Sequence, residues 1–142
     1  MKKIFSLLLI LIVVAGCNKE KVYKENLNGT WTVYKYLRNN TDKTAQFIID
    51  NPAYSISFTE AGAFSELVTN PDSTYTNGTF RFEDNLTKIV LENTFSTFVI
   101  DTAGDTTFIP KTIKRPYTIF NLTRDHVQLR NDTSQLYMNK KQ

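Results

Sequence analysis

From Tyr54 onward the chain alternates apolar with polar residues over short runs that end in turn residues, and this pattern restricts its fold more than any other feature. Tyr54, Ile56 and Phe58 alternate with Ser55, Ser57 and Thr59, and Glu60-Ala61-Gly62 turns the chain into a partner run from Ala63 to Val68. Side chains on an extended backbone change face at each residue, so a period of two marks strands with one buried face. Phe80 and Phe82 alternate with Thr79, Arg81 and Glu83, Asp84-Asn85 supplies the next turn, and Ile89 and Leu91 return among Lys88, Val90 and Glu92. Further strands are read from Phe95 to Asp101, Thr106 to Ile109, Tyr117 to Leu122, Val127 to Arg130 and Gln135 to Asn139. Eight to ten strands at hairpin spacing, with hardly any helical period between them, argue against a βαβ fold and leave a sandwich or a barrel. Sequential hairpins favour an all-β antiparallel meander barrel of about eight strands, because closure removes exposed sheet edges.

Ahead of these runs lies Leu27-Asn28-Gly29-Thr30-Trp31-Thr32-Val33-Tyr34, a turn followed by a strand with Trp31 and Val33 on one face. Leu27, Gly29 and Trp31 form a Leu-x-Gly-x-Trp opening that resembles the lipocalin-like domains of bacterial lipoproteins, and the resemblance extends over nearly all of residues 27–142. It implies a barrel plugged at one end by Trp31 next to Gly29. It also implies an arginine of the last strand over the indole, with Arg130 the nearest candidate and Arg124 the second. The family's Thr-Asp-Tyr motif is absent, so what carries over is the fold and a cup for a small apolar or amphipathic molecule. Val33, Ile56, Phe58, Phe80, Phe82, Ile89 and Leu91 occupy the inward positions that would line that cup. The long connection from Asn39 to Asn51 holds one short helical stretch, Thr44 to Ile49, ended by Asn51-Pro52. Phe47 and Ile48 on it serve either as a lid over the open end or as a plug in it.

The amino terminus gives an address. Met1-Lys2-Lys3 is followed by an apolar run from Ile4 to Val14 broken only by Ser6, and Asn18-Lys19-Glu20 stops it short of the ~20 apolar residues that a spanning helix needs. A positive start, an apolar segment and small residues at its end make a secretory signal. Val14-Ala15-Gly16-Cys17 resembles a bacterial lipobox, which implies removal of residues 1–16, a lipid on Cys17 and attachment to a membrane. Cys17 is the only cysteine, so the domain has no disulfide to hold it. Seventeen Phe and Tyr residues can supply a core instead. Asn18 after the cysteine, in place of an aspartate, points to the outer membrane. Residues 17–26, polar and without an apolar period, read as a tether to the domain at 27–142.

Without Lys2 and Lys3 the side chains carry 15 basic against 14 acidic groups, which gives no reason to expect nucleic acid as a partner. The last third is different: residues 106–142 hold 7 basic and 2 acidic groups. Lys111, Lys114, Arg115 and Arg124 are expected either on a solvated surface or as one basic wall for an acidic partner. His126 is the only histidine and no Gly-x-Ser-x-Gly is present, so neither a histidine-rich metal site nor a nucleophile elbow is expected. Asp101 and Asp105, and the triplets Asn28-Gly29-Thr30 and Asn77-Gly78-Thr79, read as turn residues. The expectation is a non-enzymatic, lipid-anchored barrel without cofactor. It either binds a small ligand or, if its interior is filled, acts as an interaction module.

Overall fold

The computed structural model describes residues 19–69, 74–100, 102 and 106–142; Cys17 and the loop residues Asp101 and Asp105 lie outside them. The described chain opens in a helix over residues 19–27 (α1). It continues through β1 (Gly29–Arg38), β2 (Thr41–Asp42), α2 (Thr44–Asp50), β3 (Ser55–Phe58) and β4 (Ala63–Val68). The second half comprises β5 (Thr74–Glu83), β6 (Lys88–Ile100), β7 (Thr106–Leu122), β8 (His126–Arg130) and β9 (Ser134–Lys140). All neighbours pair antiparallel in the order β2-β1-β3-β4-β5-β6-β7-β8-β9, and β1 also pairs with β9, so eight strands close on themselves while β2 stays outside the ring. This is the meander barrel that the alternation predicts.

The inward positions fill the ring. Leu27, Trp31, Phe58, Ile89, Leu91, Leu129 and Met138 are fully buried, with Ile56, Phe64, Phe80, Val127 and Leu136 in the same cluster. Phe58, Phe80, Phe82 and Tyr23 of α1 run toward one end in successive edge-to-face contacts with centroids 5.3–5.8 Å apart. That end is closed by α1, which lies across it.

Three expectations need correction. Residues 19–27 are helix rather than free tether: Tyr23 and Leu27, four apart, share a face that packs on the barrel, a period hidden by the charged residues around it. The strands read separately on either side of Pro110 and Pro116 are one 17-residue strand, β7, opposite a 13-residue β6. Ile119 N–H donates to the Thr87 carbonyl at 2.8 Å, so odd residues of β7 bond to β6, and the even positions, both prolines among them, turn their nitrogen to the outer edge. A missing N–H costs no ladder bond there. Asn77-Gly78-Thr79 lies inside β5 rather than in a turn, and Gly78 is needed there: a β-carbon would collide with the Glu92 carbonyl and the Phe64 ring.

Candidate functional site

The barrel wall is complete at the closed end and split toward the other. β1 bonds to β3 only from Gly29 to Trp31, whereas along its other edge it follows β9 from Trp31 to Arg38. Beyond Trp31 the edge of β1 facing β3 has no strand beside it until β2 pairs with Leu37 and Arg38, and between them α2 takes the place. Tyr36 N–H donates to Thr44 Oγ1 at 2.9 Å and the Tyr36 carbonyl accepts from Lys43 N–H at 3.0 Å, which satisfies that edge with the first turn of the helix. Asp42 Oδ1 accepts from Thr44 N–H at 2.9 Å and holds the turn; the Thr44 hydroxyl, and after it that backbone bond, keep the Asp42 carboxyl below its ordinary pKa.

Between β1 and the segment that leads from α2 into β3, an open cleft of about 450 Å³ remains. Val33, Phe47, Ile48, Pro52, Tyr54 and Leu67 give it an apolar lining, with Thr32, Asn51, Ser55 and Lys141 among the polar residues around it. Phe47 is fixed between Tyr36 and Tyr54, with ring centroids at 4.6 and 5.2 Å, while Ile48 and Ile49 are exposed. Phe47 is therefore partly buried against the two tyrosines, and Ile48 stands exposed at the rim of the cleft.

Behind Tyr54 lies a polar cluster that the alternation pattern had passed over. Glu66 is 6 % exposed, on the inward side of β4 between Phe64 and Val68. Its Oε1 accepts from the Tyr54 hydroxyl at 2.7 Å, and its Oε2 lies 2.6 Å from Arg115 Nη2 in an ion pair whose N–H is not aligned for a hydrogen bond. The Arg115 guanidinium also stacks over Phe64 at 5.7 Å. Burial, then the charge of Glu66 and its hydrogen bond, hold the Tyr54 phenol well above its ordinary pKa. Burial likewise raises Tyr117, which shares this end of the interior. Burial pulls the Arg115 pKa down, but the adjacent Glu66 carboxylate outweighs it and the pKa is raised above its ordinary value.

Of the seven residues expected to line an axial cup, Ile56, Phe58, Phe80, Ile89 and Leu91 are buried in the core cluster, and Val33 and Phe82 pack against it. They fill the ring and pack against one another, and only Val33 reaches the cleft. At the closed end Trp31 is fully buried and its indole N–H donates to the Leu27 carbonyl at 2.7 Å. The cation over it is not Arg130, which instead stacks on Phe120 at 5.8 Å, but Lys140. Its Nζ is 5.1 Å from the Trp31 ring and donates to the Asn26 carbonyl at 3.1 Å. Gly29, at φ +124°, leaves room for the stem: a β-carbon there would meet Lys140 Cε at 3.3 Å. Arg124 sits in the turn between β7 and β8, where the neighbouring Asp125 carbonyl accepts from Lys140 N–H at 3.0 Å.

The four basic residues do not form one wall. Arg115 points inward to Glu66, Lys114 bonds to Glu92 at 3.3 Å, Lys111 stands on the projecting part of β7, and Arg124 lies at the closed end. His126 Nδ1 is 2.6 Å from Asn139 Oδ1 at the surface. Past Glu92, β6 and β7 leave the barrel as a two-stranded arm, paired from Asn93↔Ile113 to Ile100↔Thr106, on which Phe95, Ile100, Phe108, Ile109 and Ile113 are exposed.

Residues 1–18 match the model of the prokaryotic membrane lipoprotein lipid attachment site. Among solved structures the chain is similar to a lipocalin-like protein from Bacteroides uniformis, with 14% identity and a TM-score of 0.55 over 82% of this chain and 99% of the other. It is also similar to an uncharacterized protein from Bacteroides eggerthii, with 12% identity and a TM-score of 0.51 over 81% and 99%. No curated protein matches it. The amino terminus is that of a lipid-anchored bacterial envelope protein, and the fold is that of a lipocalin-like barrel.

Proposed function

We propose that this lipid-anchored, lipocalin-like protein is a non-enzymatic carrier or sensor of a small amphipathic molecule, held in the lateral cleft between β1 and α2 rather than along the barrel axis. The observation that supports this is the cleft itself. Its volume of about 450 Å³ falls in the range of small-molecule sites, its lining is mostly apolar, and Tyr54 joins it to the only buried ion pair among the described residues. The apolar part of a ligand would lie against Val33, Phe47, Ile48 and Leu67, with its polar end toward Asn51, Ser55 or Lys141 at the mouth. Asn18 after the lipidated cysteine favours the outer membrane as the place of action. The test is uptake of an apolar fluorescent probe such as N-phenyl-1-naphthylamine. Saturable uptake by the parent, lost in Leu67→Trp with its melting curve unchanged, supports the cleft. No uptake by the parent, or equal uptake by both proteins, rejects it.

A second reading, an interaction module, is favoured by the arm. The outward N–H and C=O groups of β6 at Thr94, Ser96, Phe98 and Ile100 face no strand among the described residues, whereas Pro110 and Pro116 interrupt the outer edge of β7. Residues 93–100 carry no charge to discourage pairing. If β6 adds a strand from a second copy, sedimentation velocity will detect self-association that Ser96→Pro abolishes. A parent that stays monomeric at every concentration removes this reading.

A further inference from the structure

The mature chain leaves almost no slack between its lipid and its fold. Cys17 precedes the first described helical residue, Lys19, by two positions, and a chain spans at most ~3.3–3.6 Å per residue. Whatever the conformation of Asn18, the two α-carbons are within about 7 Å of each other.

α1 is itself fixed to the closed end. Its first residues line a groove with Phe82, Glu83, Asp84, Asn85 and Leu86 around the β5–β6 turn, and Asn28, which follows its last residue, reaches the β3–β4 turn, where its Nδ2 donates to Glu60 at 3.2 Å. Between these ends Tyr23 meets Phe82 edge-on at 5.8 Å, and Leu27 is 1 % exposed. The Leu27 and Asn26 carbonyls accept from Trp31 and Lys140. The helix cannot swing away without uncovering the Trp31 end of the core.

From the short reach and the fixed helix we infer that the closed end of the barrel is a membrane-apposed surface. The lipid on Cys17 holds α1 and the adjoining turns against the headgroups of the bilayer that carries the anchor, and the opposite end faces away from it. This rests on the lipoprotein reading of the amino terminus and not on the ligand reading. The partner is a headgroup layer without a required charge, because the surface is electrically mixed and largely self-paired. Lys24 bonds to Glu20 at 2.9 Å, Lys21 lies 3.8 Å from Glu25 and Lys88 bonds to Asp84 at 2.7 Å, with Lys19, Arg124 and Asp125 alongside. The arm, roughly 25 Å of paired strand beyond Glu92, then reaches away from the membrane, and the lateral cleft opens to the side above the headgroups.

The test uses the full lipidated protein in vesicles of zwitterionic phospholipid. A fluorophore is attached at Arg124→Cys in the closed-end turn or at Asp132→Cys in the β8–β9 turn, and a quencher is carried on the lipid headgroups. Flotation with the vesicles reports anchoring, and quenching reports orientation. The expected result is several-fold stronger quenching at position 124 than at 132, insensitive to salt. The difference should be erased when a Gly-Ser linker of about ten residues, reaching roughly 15–20 Å, is inserted after Asn18. Protein that floats with equal quenching at both positions, or with stronger quenching at 132, overturns the orientation while leaving the anchor intact. Protein that does not float overturns the anchor and the orientation with it.

Discussion

Arg130 and Lys140 stand six and sixteen residues after Arg124, and only the register of β9 against β1 decides which of them meets Trp31. Trp31 pairs with Lys140, so the long side chain at the end of the last strand crosses the indole, while Arg130 belongs to β8 and turns to the outer face. Lys140→Ala removes a cation from an aromatic face, a bond to Asn26 and an apolar stem; together these are worth about 1–2 kcal/mol. Arg130→Ala should stay within about 0.5 kcal/mol of the parent. Urea unfolding of both variants checks the order, and a reversed order would return the role to Arg130. Glu66 was legible in principle, since Phe64, Glu66 and Val68 share a period of two, but a carboxylate at an inward position is discounted unless its partner is known. That partner, Arg115, is 49 residues away and joins it only when the barrel closes. Glu66→Leu leaves the guanidinium beside a hydrocarbon and should cost about 3 kcal/mol, somewhat moderated because Arg115 is 29% exposed; pairing it with Arg115→Met should restore much of the loss. Tyr54 gives a pH dependence. Its phenol keeps its proton in the fold above the ordinary value of 10.0, whereas the unfolded chain releases it there, so the unfolded state binds fewer protons and stability falls as pH rises through about 10. Melting curves from pH 8 to 11 should show that decline, shallower in Tyr54→Phe.

At the scale of elements, the period-two runs located β3, β4 and β8 closely and only the second half of β5, and Asn51-Pro52 marked the end of α2 to within a residue. The errors had one source, the reading of local punctuation without its strand partner. Proline ends a strand whose N–H groups are all needed and is harmless on an outer edge, so β7 ran on through Pro110 and Pro116. Glycine reads as a turn, yet Gly78 sits mid-strand because β6 crosses over it. Gly78→Val should therefore cost several kcal/mol or prevent folding, although valine is the better strand former. Circular dichroism and thermal melting would reveal it, and a parent-like melting curve would contradict the close approach. α2 separates packing from access. Phe47→Ser should lower stability by about 2–4 kcal/mol through loss of its contacts with Tyr36 and Tyr54, whereas Ile48→Ser should change it by less than about 0.5 kcal/mol and speed probe exchange.

For the molecule as a whole, the sequence carried the envelope address, the all-β class and the closed meander, because each rests on patterns within a few neighbouring residues. Where space remains in the barrel was not legible. The inward residues are equally compatible with a lined cup and a packed core, and the outcome depends on how side chains from eight strands meet. Here they meet along the axis, and the remaining space opens sideways, where β1 and β3 part and α2 stands between them. The most direct test of that placement is a titration of the isotopically labelled protein with N-phenyl-1-naphthylamine, followed by amide and methyl chemical shifts. The expected result is saturable shifts concentrated at Val33, Phe47, Ile48, Tyr54 and Leu67. Shifts confined to Phe95, Phe108 and Ile109 on the arm, to the axial residues Ile56, Ile89 and Leu91, or no shifts at all would contradict a ligand site in the lateral cleft.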